Sequence, residues 1–336
     1  MKKYAVWTLL LTLSLAATAC GGGAEKSATS LRQVSLPVGY IPNVQFAPLY
    51  TAIDKGFYRE EGLDVEMDYN METDSVALVG AGELEFAIVS GEQVLLGRGQ
   101  GLPVVYVMAW YQDYPVGVAA LADKGIRTPQ DLHGKTVGLP GLYGASYIGC
   151  IALLNAGGLK ESDLTLSSIG FTQAEALVNG LVDAAVVYIS NEPNKLRAEG
   201  YDVDVITVSD YLSLVGNGLI TSEKLASEEP ELVAAMVRGT LKGIAYTIDH
   251  PDEAFEISKR YVENLANLTP EEQAVQRQVL DASIALWQGG QFGISDAEAW
   301  EHMQELLLQM GLMTEPVVLE DAFYNGFVPA EVDAAK

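Results

Sequence analysis

The stretch that decides the fold is Gln33–Val89, QVSLPVGYIPNVQFAPLYTAIDKGFYREEGLDVEMDYNMETDSVALVGAGELEFAIV. Gln33 to Tyr40 reads as a strand that ends in the turn Gly39-Tyr40-Ile41-Pro42-Asn43. Phe46, Leu49, Tyr50 and Ile53 then fall at i, i+3, i+4 and i+7, one face of a helix. Gly56 stands just past that helix, where a left-handed cap is expected. Leu63, Val65, Met67 and Tyr69 alternate with acidic residues, the pattern of a strand with one covered face. A short helix, Asp74 to Gly80, leads to an apolar strand from Phe86 to Val89. Strand, helix and strand in succession mean a parallel sheet covered by helices.

Working outward, the pattern recurs. Ala77-Leu78-Val79 precedes Glu85-Phe86-Ala87-Ile88-Val89, and Ala176-Leu177-Val178 precedes Asp183-Ala184-Ala185-Val186-Val187. Two lobes of similar α/β build are therefore expected. Asp131 to Val137 opens the second, and the chain returns to the first near Leu214 to Thr221. These readings set lobe 1 at 31–121 plus 214–330 and lobe 2 at 122–213. From Leu225 onward the periodicity is helical, with Leu232, Met236, Leu241 and Ile244 on one stripe and Pro251 breaking it. At 336 residues and 49% hydrophobic composition, the chain can bury a core without covalent staples.

The N-terminus carries Met1-Lys2-Lys3, an apolar run from Ala5 to Ala19, and then Cys20. A positive start, a short greasy middle and small residues before a cut site make a secretory signal, 1–19. The run is roughly 22 Å long as a helix, shorter than a bilayer core of ~30 Å. Ala17-Thr18-Ala19-Cys20 followed by three glycines resembles a bacterial lipobox, with Ala17 where Leu is usual. Cys20 would then be acylated, and 20–30 would be a flexible tether. An ordinary signal-peptidase site is the alternative. Acylation of Cys20 leaves Cys150 as the single remaining thiol, so no internal disulfide is expected.

Twenty basic against 45 acidic residues give a formal charge of −25. With no basic cluster, that charge excludes nucleic acid as a partner. His133, His250 and His302 are scattered and form no metal motif. Ser90 lies in Val-Ser-Gly-Glu, which lacks the first glycine of a nucleophile elbow. Gly138 to Gly149 is glycine-rich but has neither the Lys-Ser/Thr of a P-loop nor dinucleotide spacing. No enzyme activity, metal or cofactor is expected.

Gly39-Tyr40-Ile41-Pro42-Asn43, Ala47-Pro48-Leu49-Tyr50, Lys55-Gly56-Phe57-Tyr58 and Glu61-Gly62-Leu63-Asp64-Val65 together resemble the opening of one group of ABC-importer substrate-binding proteins. Gly82 to Ala87, Asp131 to Gly138 and Val182 to Ala185 extend the resemblance, which covers roughly Val34 to Val262. This group takes up thiamine pyrimidine precursors, riboflavin, taurine and alkanesulfonates. Gly39 to Tyr50, Ser90 to Gln93 and Trp110 to Gln112 look most like its riboflavin-binding RibY type. The resemblance implies a two-lobed periplasmic-binding-protein fold of type II, with ligand in the inter-lobe cleft. It implies a monomeric receptor on the extracytoplasmic face of the cell membrane, lipid-anchored, serving an ABC permease and a separate ATPase subunit. Riboflavin is then a transported ligand rather than a cofactor. Thiamine pyrimidine precursors of the formylaminopyrimidine or hydroxymethylpyrimidine type are the alternative ligand. A pyrimidine-biosynthesis enzyme of related fold is the alternative outside the class. Sulfonates fit less well, because the candidate loops offer no Arg or Lys.

In open α/β sheets ligands sit beyond the carboxyl ends of the strands. That rule selects Tyr40 and Asn43 after the first strand, Ser90 and Gly91 after the Phe86 strand, and Trp110, Tyr111 and Tyr114 after the Val104 strand. In the second lobe it selects Tyr143, Gly144, Ala145 and Ser146, then Tyr188 and Glu192. Of the adjacent Trp110 and Tyr111, one is expected to face the cleft and the other to pack. Ser146 either caps a helix or meets ligand, and Glu192 is either a solvated first-turn acid or a contact. Six of these candidates are aromatic in a chain that is 8% aromatic. A flat heterocycle stacked on such rings gains ~0.5–1.5 kcal/mol per pair beyond burial. Enclosing roughly 300 Å² of apolar ligand supplies ~7 kcal/mol, against about 12 for nanomolar binding. Hydrogen bonds from Asn43, Ser90, Ser146 and Glu192 are expected to supply much of the rest.

Overall fold

The computed structural model describes residues 30–288 and 292–330. The expected signal, Cys20 and nearly all of the tether lie outside the described residues. No helix among those described is long and apolar enough to cross a membrane.

Two five-stranded sheets form the frame. The first contains β1 (Arg32–Val38), β2 (Leu63–Tyr69), β3 (Ala87–Ser90), β4 (Val104–Ala109) and, from much later in the chain, β10 (Asn217–Ser222). Its spatial order is β2-β1-β3-β10-β4. The second contains β5 (Val116–Leu121), β6 (Thr136–Leu139), β7 (Thr165–Ser168), β8 (Ala184–Tyr188) and β9 (Val203–Thr207), in the order β7-β6-β8-β5-β9. The two orders share one plan. In each sheet the strand next to the outermost one runs antiparallel to its neighbours: β10 in the first and β5 in the second. Both are the strands that follow a crossing between lobes.

The faint sequence repeat therefore marks equivalent places, since β3 and β8 both pair with their sheet's antiparallel strand. Each follows a helix, Glu72–Ala81 before β3 and Gln173–Val178 before β8. The fold is the expected two-lobed α/β architecture. One boundary changes: β5 belongs to the second sheet, so the first crossing falls between Ala109 and Val116 rather than at 122. The physical reason is that β4 and β5 are both apolar runs buried on two faces, and nothing in their composition separates the sheet being left from the one being entered.

Apolar side chains of both lobes merge into one core. Val89, Val94 and Leu95 from the first share it with Val116, Ile148 and Leu153 from the second, while Leu36, Tyr50, Phe86 and Trp287 fill the far side of the first lobe. The late helices, such as Pro230–Asp249 and Pro270–Trp287, pack their buried stripes on that far side.

Candidate functional site

A cavity of about 140 Å³ lies between the lobes, at the strand ends the topology brings together. From the first lobe Tyr40 follows β1, Met71 and Glu72 follow β2, and Trp110 and Tyr111 follow β4. From the second, Tyr143 to Ser146 follow β6, Phe171 follows β7, and Tyr188 ends β8 with Asn191 and Glu192 just beyond. Asn217 reaches the cavity from the start of β10.

Aromatic rings form much of the wall. Trp110 and Tyr111 both line it, edge to face with centroids 6.2 Å apart, and both rest on the buried Trp287. Both residues border the cavity while their side chains are almost wholly buried, packed against Trp287. Tyr40 of the first lobe meets Phe171 of the second edge-on at 5.2 Å. Gly144 has φ +67°, left-handed backbone that a residue with a Cβ resists, so the helix Gly144–Ala156 can begin flush with the cavity wall. Tyr143 precedes that helix in extended conformation. Ser146 is its third residue rather than its cap, and it lines the cavity.

Glu192 is a buried wall residue rather than a solvated first-turn acid. Its carboxylate accepts from Tyr188 N at 3.1 Å and from Asn191 Nδ2 at 3.0 Å, and burial raises its pKa. Four candidates lie behind the wall. Asn43 turns inward and accepts from Gln45 N at 3.0 Å, capping the turn before the first helix. Ser90 is wholly buried, its hydroxyl between Glu72 and Glu92. Gly91 is filled against the second crossing, where an added Cβ would meet Val215 at 2.5 Å. Tyr114 is buried too, its hydroxyl donating to Ala145 O at 2.9 Å.

Sequence reasoning passed over Glu72. Its Oε2 accepts from Ser90 N at 3.0 Å and from the Ser90 hydroxyl, and its Oε1 accepts from Asn217 Nδ2 at 3.2 Å. Burial, then the charge of Glu92, pushes its pKa up to about 7, and burial raises that of Glu92. A Cβ at Gly39 would run into the Glu72 side chain, so glycine there gives the carboxylate its place. Among the described residues, no Lys, Arg or His lines the cavity. The described wall offers rings, amides and acceptors, and no cationic side chain.

Such a cavity between two like-built α/β lobes defines a two-lobed binding fold of the periplasmic-binding-protein kind. The chain belongs to the NMT1/THI5-like family, whose model matches residues 43–254. It is 39% identical to the riboflavin-binding protein RibY of Chloroflexus aurantiacus, over 98% of this chain and 99% of that one. It is 32% identical to the formylaminopyrimidine-binding protein of Halalkalibacterium halodurans, over 96% and 98%. In fold it is similar to the crystal structure of the periplasmic aliphatic sulphonate binding protein SsuA from Escherichia coli, with a TM-score of 0.71, 13% identity and coverage of 91% and 96%.

Proposed function

We propose that this chain is the substrate-binding subunit of an ABC importer, exported and held to the membrane through Cys20, and that it carries riboflavin to its permease. The observation that carries the reading is the cavity itself, walled by aromatic rings from both lobes, with two carboxylates and no cation among its described lining residues. Flat uncharged heterocycles gain most from such a wall. A sulfonate or phosphate would lose its hydration and meet like charge. Similarity to the riboflavin-binding protein at 39% identity supports the choice of heterocycle. In this reading ligand bridges the lobes and shifts the population toward the closed form, which docks on the permease. ATP is hydrolysed by another subunit.

Titration of riboflavin with the leaderless protein, followed by flavin fluorescence, tests this. Quenching that saturates at one flavin per chain is expected. No quenching at micromolar flavin removes riboflavin as ligand. Displacement of bound flavin by substoichiometric formylaminopyrimidine would move the reading to the pyrimidine precursors, and turnover of either compound would move it out of transport.

A further inference from the structure

Ser90 Oγ lies within hydrogen-bond distance of two carboxylates, Glu72 Oε2 and, at 2.5 Å, Glu92 Oε1. One hydroxyl carries one proton and can donate to one of them. Two buried carboxylates bridged by a single hydroxyl do not both stay ionised, so the pair titrates as a unit that retains a proton well above the usual carboxylate range. Fixed donors hold both carboxylates. Glu72 accepts from a backbone N–H on one oxygen and from the Asn217 amide on the other. Glu92 has no exposed surface; its Oε1 accepts from the Ser90 hydroxyl and from Gln93 Nε2 at 3.3 Å, and its Oε2 has no partner among the described residues. The charge of Glu92 then keeps the pair's last proton on Glu72, and the Ser90 hydroxyl donates to Glu92.

A second acceptor stands in the same cavity. Asn191 is 1% exposed, and its Oδ1 has no partner among the described residues. Its Nδ2 donates to Glu192 Oε1 at 3.0 Å, which fixes the amide with the carbonyl on its other side. Glu72 comes from the first lobe and Asn191 from the second, and both line the cavity.

We propose that Glu72 and Asn191 Oδ1 form a subsite for the N–H edge of a neutral cyclic amide or imide, with Ser90 and Glu92 behind Glu72 controlling when it is an acceptor. The subsite rests on the heterocycle-binding reading above and deepens it. The titratable groups that interact with Glu72 are Glu92 behind it, Tyr114 from the first crossing and Tyr188 from the second lobe, and Glu192 lines the same cavity. Both phenols are raised further by the two carboxylates. A donor ligand favours ionised Glu72, so affinity rises with pH as the pair loses its proton.

The test is calorimetric titration with riboflavin and with 3-methylriboflavin, whose imide N–H is replaced by N–CH3, at pH values of about 6 and 8. Wild-type protein is expected to bind the methylated flavin at least tenfold more weakly, and riboflavin more tightly at the higher pH. Glu72→Gln should lose about tenfold in riboflavin affinity together with its pH dependence. Glu92→Gln, which touches no ligand, should keep the affinity at high pH and move the pH dependence downward. Equal affinity for the two flavins, or binding flat with pH, overturns the subsite and leaves the flavin reading standing. Failure of both flavins to bind removes the flavin reading, and a simple cyclic imide such as uracil with its N3-methylated analogue then decides the subsite by the same ratio.

Discussion

The Ser90 hydroxyl between two acids makes stability depend on pH in a direction opposite to that of most paired carboxylates. An unfolded glutamate titrates near 4.3, whereas burial holds Glu72 and Glu92 above that, Glu72 at about 7. Between those values the folded protein binds more protons than the unfolded chain, so this pair's contribution to stability is full at low pH and falls as pH rises toward 7. Glu92→Gln removes one acid and the repulsion with it. Its thermal unfolding midpoint should therefore rise relative to wild type as pH goes from about 5 to about 8, by a few degrees for a linkage of roughly 2 kcal/mol. A midpoint difference that stays constant across that range would count against the shared proton. Such acids were not legible in the sequence. The strand-end rule found Tyr40, Trp110, Tyr111, Tyr143, Gly144, Ser146, Tyr188 and Glu192, all of which line the cavity. It stopped short of Glu72, three residues past the end of β2, because acidic residues are common in this chain and one more carries no signal. Phe171 was missed with β7 itself, a short half-exposed strand, TLSS, that lacks an apolar pattern. Asn217 was missed for a geometric reason: β10 runs antiparallel, so its amino end, not its carboxyl end, meets the cleft.

Among elements, the junction of β3 with the helix Gly91–Gly99 shows why a strand-end glycine need not touch ligand. β3 delivers Ser90 inward to the acids, and the following helix must start at once, pressed on Val215 of the second crossing. A Cβ at position 91 would lie 2.5 Å from Val215 Cβ and Cγ1 and 3.0 Å from its carbonyl oxygen. Gly91→Ala should therefore cost about 1–3 kcal/mol of stability through overpacking. Because residue 91 is behind the wall, flavin affinity measured well below the melting temperature should change less than about threefold. A large affinity loss with an unchanged midpoint would instead place Gly91 in contact with ligand. Most elements were legible because their periods are clean: β1, β2 and the first helix follow the alternation and the i, i+3, i+4, i+7 spacing seen in the sequence. Sheet membership was not. Val116–Leu121 is apolar throughout, as a central strand buried on both faces must be, and such a run says nothing about which sheet encloses it.

At the scale of the molecule, the lobes share a core at the crossings and touch again across the cleft, and the second set of contacts decides how readily the cleft opens. Gln45 Nε2 donates to Ser190 Oγ at 2.8 Å, Tyr188 OH to Asn217 Oδ1 at 3.3 Å, and Asn191 Nδ2 to Tyr40 OH at 3.4 Å. Only the first is both short and buried on each side. A neutral hydrogen bond is worth about 1 kcal/mol net, whereas moving a two-state population from 1:99 to 99:1 takes about 5.5 kcal/mol. These three hydrogen bonds can bias closure without fixing it, and on the proposed reading the larger share comes from a ligand held by both walls. Ser190→Ala tests that division, since Ser190 does not line the cavity and its loss removes only the short bond. Small-angle scattering of the ligand-free variant should give a larger radius of gyration than wild type. Saturating ligand should bring the two curves together, with affinity lowered by no more than about fivefold. Coincident ligand-free curves with unchanged affinity would show that the Gln45–Ser190 bond has no part in closing. Curves that stay apart at saturation would show that ligand does not supply the closing free energy, and the two-walled grip on a heterocycle would fall with it.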